Sequence, residues 1–539
     1  MMRPFSRWSF WVVLLGCLCV LALRLDRAAG LVVDDAYYLM SGKALATGYG
    51  FTMINAPTPG IVPFYPPFFP FLLSLIFRLA PSFPQNIPCF KLFLVATAAG
   101  QAGLVYYYFS RMRLLPSGIS LLIMAAALLN PGVVFLATST MMSETVYALL
   151  QTGALILLER GLGYGTGRLK YFQITAASVL LALAYLTRSI GIGLVCGAAA
   201  YLLFRKEFKA LAIMAALLIL IIAPWQIYTM RHRPTPQAQL EQGYITQSYL
   251  TQLWTKDTSN TKMKVGLSAM PGRIMTNLVE IGERDVGEFI AAPLYRPSNE
   301  SGTEVIEGGV ISPLLKIPSL LLTAVIFIGF VAAFFRGPRP VEFAVLFQLA
   351  IIVCWPWLPY RFLVPLLPFL FFYFVTGVSD LSAFIRIGWR RGTKDRQPFG
   401  EVRTGSVARI CMEFVLVFCL YDHTMYLLSR YGLYGEPVFW LDYNRQVRDV
   451  AEWVGAHTSA GSVIAADNPA LLYLYTDRKT IRPRDADASL TWSNVGQADY
   501  FVHLNPFSAA SPENGDGRLV YRPSNSNFFV LSYERSTVR

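Results

Sequence analysis

Residues 210–230, ALAIMAALLILIIAPWQIYTM, carry no charged side chain. A helix rises 1.5 Å per residue, so this run reaches across the roughly 30 Å hydrocarbon core of a bilayer. Similar apolar runs lie at about 8–23, 64–80, 88–110, 118–141, 145–158, 171–187, 190–204, 314–335, 343–358, 361–378 and 408–428. Of the 539 residues, 54% are hydrophobic and 15% charged, against roughly 25% charged in soluble domains. That balance excludes a cytosolic enzyme, a disordered chain and a small disulfide scaffold. It predicts an α-helical polytopic membrane protein.

The net charge of +13 does not point to nucleic acid, because the basic residues sit in short loops between apolar runs. They set membrane orientation instead. If the run at 64–80 does not cross, Arg111, Arg113, Arg160, Arg168, Lys170, Arg205, Lys206, Lys209, Arg336, Arg339 and the basic stretch within 386–409 share the inner side. If it crosses, every one of these loops is inverted. The run also opens with Pro63, Pro66, Pro67 and Pro70, which suits a surface or re-entrant segment. The expectation is therefore eleven transmembrane helices, an inner N-terminus and an outer C-terminus. The first run is read as an uncleaved anchor, since Arg24 and Arg27 precede the small residues Ala28-Ala29-Gly30.

Residues 1–431 then form the transmembrane domain, with a first outer loop at 24–87 and a large outer loop at 231–313. Within the large loop, 273–289 has amphipathic helical spacing and suits a membrane surface. Asn299-Glu300-Ser301 is a weak glycosylation sequon. Residues 432–539 read as a small outer α/β domain. In it, 445–456 is helical, 462–466, 500–504, 519–522 and 528–533 are strands, and 523–527 is a hairpin loop. The seven cysteines lie in or beside apolar runs, with no CxxC. His232, His423, His457 and His503 show no metal-ligand spacing. No phosphate-binding glycine loop is present.

Asp34 and Asp35 follow the first apolar run and open a helical segment beside Tyr37 and Tyr38. Either could merely cap that helix, but two adjacent carboxylates at a membrane surface also suit a general base. Glu144 after Ser143 is either a first-turn residue or a second acid facing the pair. Arg188 and Arg361 stand at the outer interface, where a guanidinium snorkels to lipid or grips a phosphate in bidentate fashion.

These residues, with Gly48-Tyr49-Gly50 and Tyr65-Pro66-Pro67-Phe68-Phe69-Pro70, resemble the first outer loop of GT-C glycosyltransferases. The branch that fits is that of the protein O-mannosyltransferases and bacterial lipid A aminoarabinose transferases. The likeness continues through Met142-Ser143-Glu144, Leu186-Thr187-Arg188-Ser189-Ile190-Gly191, Pro224-Trp225, Tyr360–Pro368 and Leu472–Arg478. The chain departs from the family in having Asp35 where Glu is frequent, Glu144 where Asp is frequent, and Tyr65 where the lipid A enzymes carry Lys.

The resemblance implies a polyprenyl-phosphate sugar donor, a glycan, lipid or protein acceptor, and inverting transfer on the extracytoplasmic side of a membrane, which the likeness of the tail makes the bacterial inner membrane. It assigns Asp35 as first choice for the base, with Asp34 as alternate and Glu144 as the second acid. Arg361 and Arg188 would hold the donor phosphate, and Tyr37, Tyr38, Tyr65 and Tyr360 the substrate groove. No metal is expected, although some branches of the family bridge their acids with a divalent cation. The competing reading is a secondary transporter or lipid flippase. Against it, the candidate residues gather at one membrane face rather than at the midplane.

Overall fold

A computed structural model of the chain describes residues 7–58, 60–61, 65–163, 167–254, 266–295, 312–389, 405–434, 437–483, 498–505, 511–514, 516–524 and 526–533. It is a helical bundle carrying a five-stranded sheet at one end. Six helices are long and apolar enough to cross a membrane: Ile87–Met112, Gly167–Thr187, Phe208–Arg231, Pro313–Arg336, Tyr360–Ile385 and Ser406–Arg430. A seventh candidate is the pair Ser117–Leu128 and Pro131–Thr138, bent by 53°. Trp8–Arg24, Phe68–Leu79, Gly191–Phe204 and Pro340–Cys354 are apolar but shorter.

The bend has a chemical cause. Pro131 cannot donate a backbone hydrogen bond, so the first helix must end before it. Asn130 then starts the second helix by accepting from the Gly132 N–H at 3.1 Å, and its amide donates to the Phe289 carbonyl at 3.0 Å. The stranded Leu129 carbonyl meets His423 Nε2 at 2.8 Å. These partners let a broken helix stay buried.

The end of the bundle away from the sheet is tied by ion pairs. Arg113 meets Glu342 at 2.6 Å, Arg339 meets Glu159 at 2.7 Å, and Lys170 meets Glu207 at 2.8 Å. Arg336 and Asp380 pair there too, at 2.5 Å. The basic loops thus collect at a single end. Phe68–Leu79 packs along Val33–Ala46 at the opposite end, with Phe69 against Tyr38 and Phe77 against Phe90. The stretch 390–404, which holds most of the expected basic loop, and the sequon at 299–301 lie outside the described residues.

The sheet comprises β1 (Val463–Ala466), β2 (Lys479–Ile481), β3 (Tyr500–His503), β4 (Arg518–Tyr521) and β5 (Phe529–Ser532), in the order β2-β1-β3-β5-β4. β1 is parallel to β2 and β3, while β5 is antiparallel to β3 and β4. The sequence reading found four of these strands and missed β2, a three-residue strand with too little pattern to show. It also started the preceding helix late. That helix runs Phe439–His457, buries Val447, Val450 and Val454, and stacks Trp453 on Tyr521. The helix Pro469–Thr476 crosses over between β1 and β2. The amphipathic stretch of the large loop forms Met270–Glu280 and continues to Tyr295 with a kink at Ala291.

The sheet is fastened to the bundle at its β2 edge. Thr480 N donates to the Asn55 carbonyl at 2.8 Å, and Arg482 N donates to the Glu241 carbonyl at 2.6 Å. An edge strand's open hydrogen-bonding groups are thereby closed by the first and second polar loops. Gly30 makes a second joint. Its φ is +76°, and an added Cβ would lie 2.3 Å from Leu471 Cδ2, so both the backbone conformation and the space demand glycine. Its N–H donates to Asp35 at 3.1 Å, while its carbonyl accepts from Asn468 Nδ2 at 3.3 Å.

Candidate active site

Four segment ends converge at the end of the bundle that carries the sheet. Asp34 lies in the first turn of Val33–Ala46, and Glu144 begins Glu144–Gly163. Arg188 follows the last residue of Gly167–Thr187, and Arg361 lies in the short helix Tyr360–Leu363. Helix N-termini favour carboxylates because their N–H groups point outward unpaired. The sequence therefore places both acids where the backbone supports negative charge.

The four side chains form one connected cluster. Asp34 Oδ2 accepts from Arg361 Nη2 at 3.0 Å, and Asp34 Oδ1 accepts from the Tyr65 hydroxyl at 2.7 Å. Glu144 Oε1 lies 3.3 Å from Arg361 Nε and 2.5 Å from Arg188 Nη1. Arg188 Nη1 also donates to Ser143 Oγ at 3.2 Å, and Ser143 Oγ donates to the Tyr38 hydroxyl at 3.3 Å. Both guanidiniums lie over the Phe362 ring. Arg361 supplies the positive charge between Asp34 and Glu144. Among the described residues no three His, Cys, Asp or Glu side chains converge as metal ligands would.

The cluster faces a cavity of about 390 Å³. Asp34, Tyr38, Tyr65, Arg188 and Arg361 form its polar side, and Val33, Ile190, Ile192, Ile351, Leu358 and Phe362 give it an apolar wall. Ligand sites have this composition, a few convergent polar groups within apolar walls. Glu144 sits behind, 1% exposed, as the anchor of both guanidiniums.

Three of the expected residues lie elsewhere. Asp35 is wholly buried, points to Gly30 and does not line the cavity. Burial pushes its carboxyl up to about 7, opposed by the Gly30 N–H. The Tyr37 hydroxyl donates to Gln242 Oε1 at 3.2 Å, in the seam with the second polar loop. Tyr360 stacks on Phe289 with ring centres 4.5 Å apart. Asp35 follows Asp34 by about 100° around the helix axis, and that turn carries it to the Gly30 N–H.

The sequence reading omitted Tyr185, Tyr249, Gln252, Trp355 and Trp357, which also line it. Trp355 and Trp357 left a signal in the Trp-Pro-Trp-Leu-Pro-Tyr-Arg run. Tyr249 left none, since it arrives on a five-residue helix of the large loop.

No protein-family model matches the chain, and no curated protein matches it in sequence. Solved structures do match. ArnT from Cupriavidus metallidurans bound to undecaprenyl phosphate superposes with a TM-score of 0.57 at 14% identity, over 98% of this chain and 99% of that one. The apo oligosaccharyltransferase of Archaeoglobus fulgidus gives 0.55 at 12% identity, over 92% and 70%. AglB from the same organism, in complex with an inhibitory peptide and a dolichol-phosphate, gives 0.50 at 11% identity, over 92% and 69%. This chain has the GT-C fold. Within that fold the cavity lies among the first acidic segment, the Arg188 turn and the Arg361 turn, which are the stretches that carried the resemblance.

Proposed function

We propose that the chain is a membrane glycosyltransferase that moves a sugar from a polyprenyl-phosphate donor to a hydroxyl acceptor, with inversion at the anomeric carbon. The observation that carries this reading is the cavity that sets one carboxylate, Asp34, against the guanidiniums of Arg188 and Arg361, with an apolar wall beside them. Undecaprenyl phosphate in the ArnT structure and dolichol-phosphate in the AglB structure support the choice of donor class.

Asp34 is the base in this reading, because it is the acid of the pair that lines the cavity. The acceptor hydroxyl gives its proton to Asp34 as its oxygen bonds to the anomeric carbon. The bond from that carbon to the phosphate oxygen breaks in line, and polyprenyl phosphate leaves with the electron pair. Arg361 and Arg188 take up the charge that grows on the phosphate. Glu144 acts through them, holding both in place. Asp35 is a positioning residue that fixes the start of the Asp34 helix to Gly30.

The topology that suits this chemistry is eleven crossings, an inner N-terminus and an extracytoplasmic sheet, in a bacterial plasma membrane. Ion pairs that gather the basic loops at the end away from the cavity support it, as does Phe68–Leu79 lying along Val33–Ala46. The acceptor is a glycan, lipid or protein.

The test is release of polyprenyl phosphate. Purified protein in detergent is given polyprenyl-phosphate sugars and a total envelope extract, and the freed lipid phosphate is followed by mass spectrometry. Acceptor-dependent release that disappears in Asp34→Asn is expected. Full release by Asp34→Asn would sink the assignment of the base. Movement of intact donor lipid across a vesicle, without cleavage, would sink the enzyme reading.

A further inference from the structure

A second cavity, about 420 Å³, opens where the first helix Arg7–Arg24 and the last long helix Ser406–Arg430 end beneath the sheet domain. Its polar wall is Asp26, Arg27, Arg430, Asn444 and Arg448. The charges do not balance. Asp26 is already committed, as the ion-pair partner of the buried Lys91 and the acceptor for Ser139 Oγ at 2.7 Å and the Ala28 N–H at 2.8 Å. Among the described residues, Arg27, Arg430 and Arg448 make no ion pair with any carboxylate. Arg430 donates to the carbonyls of Leu23 and Leu25, both at 3.0 Å, and Arg448 to the carbonyl of Arg27 at 3.0 Å. Backbone carbonyls orient guanidiniums without cancelling their charge. Asn444 is 7% exposed, and its Oδ1 has no hydrogen-bond partner. The same amide turned over presents its NH2 to the cavity.

We infer that this cavity binds a phosphate group, carried by an anionic membrane lipid. Guanidiniums match phosphate oxygens in a bidentate fork, and three around one hollow with a spent carboxylate form an anion site. Depth argues for the lipid as the source. Arg24 and Arg430 are the last residues of their helices, at the level where an apolar span meets water. Leu23, Tyr431, Leu433 and Tyr434, close in sequence to the two helix ends, are exposed, and aromatic and apolar side chains of that kind favour the headgroup zone. The site is separate from the Asp34 cavity, shares no lining residue with it, and does not depend on the reaction proposed there.

The experiment uses the full chain in detergent with equal phosphatidylglycerol and phosphatidylcholine, and native mass spectrometry counts retained lipid. A preference of about tenfold for phosphatidylglycerol is expected, the scale of charge-assisted hydrogen bonding. Arg27→Gln should cut it several-fold, and Arg27→Gln with Arg448→Gln should abolish it. Arg27 is exposed and its side chain makes no hydrogen bond within the described residues, so its substitution leaves the fold intact. A melting curve checks this, and that variant alone decides if the double one misfolds. Stabilisation by inorganic phosphate, lost in Arg27→Gln and without lipid preference, would support the phosphate site and overturn the lipid as its source. Equal retention of both lipids with no response to phosphate, or a preference that survives Arg27→Gln at full strength, would overturn the inference.

Discussion

Each end of the bundle holds a linked cluster of two carboxylates and two guanidiniums, yet of the two only the sheet-end cluster lines one of the two large cavities. At the sheet end the set is Asp34, Glu144, Arg188 and Arg361. At the far end it is Glu159, Glu342, Arg113 and Arg339. The far cluster is closed on itself. Arg339 Nη1 donates to the Met112 carbonyl at 2.6 Å, Arg113 Nε to the Tyr108 hydroxyl at 2.9 Å, and the Arg339 N–H to Glu342 at 2.8 Å. None of its four residues lines either large cavity. Ion pairing is therefore common to scaffold and site. The difference is that the sheet-end cluster presents Asp34, Arg188 and Arg361 to open space.

That difference can be broken by substitution. Asp34→Asn should lower transfer by roughly 10²–10⁴-fold, the usual worth of a positioned base, with its melting temperature held. An initial-rate assay checks this, and a change under threefold would make the two clusters equivalent. Arg113→Leu should do the reverse. It removes the ion-pair partner of the buried Glu342 and should cost about 3–5 kcal/mol of stability, measured by chemical denaturation, while the folded fraction keeps its turnover.

A smaller change sharpens the contrast at one atom. Tyr65→Phe removes the hydroxyl that donates to Asp34 and leaves the ring against Tyr38. Transfer should fall about tenfold, as for a hydrogen bond to a charged group, and a fall in kcat rather than a rise in KM would identify positioning of the base.

A pH scan separates the two neighbouring acids. Burial raises Asp35 from 3.8 to about 7. Between those values the folded chain binds more protons than the unfolded one, so this group's stabilisation is complete below about pH 4 and is lost as pH rises to about 7. The melting temperature of the wild type, minus that of Asp35→Asn, should decline across this window. A flat difference would show that Asp35 does not titrate there.

Much of the fold was legible because hydrocarbon thickness fixes the length of an apolar run, as in 210–230. The sheet was mostly legible because β1, β3 and β5 are apolar runs bounded by polar turns. β2 was not, since three residues carry no period and its place is set by Asn55 and Glu241. At the site, Asp34, Glu144, Arg188 and Arg361 stood out as charges at the margins of apolar runs. Which of Asp34 and Asp35 faces the cavity was not legible, because that depends on helix rotation, and the rotation is pinned by Gly30. Tyr249 was hidden for a related reason: only tertiary docking brings its short helix to the cavity.

Gly30 joins three parts at a single residue, since the first helix ends at Arg24 shortly before it, Asp35 takes its N–H, and Asn468 of the sheet domain holds its carbonyl. A tug on the sheet therefore reaches the Asp34 helix through one peptide unit. Any macromolecule that seats on the sheet has a mechanical lever on the Asp34 carboxylate, and swapping in a sheet from a distant relative will preserve the cavity's geometry only if the residue facing position 30 still holds its carbonyl.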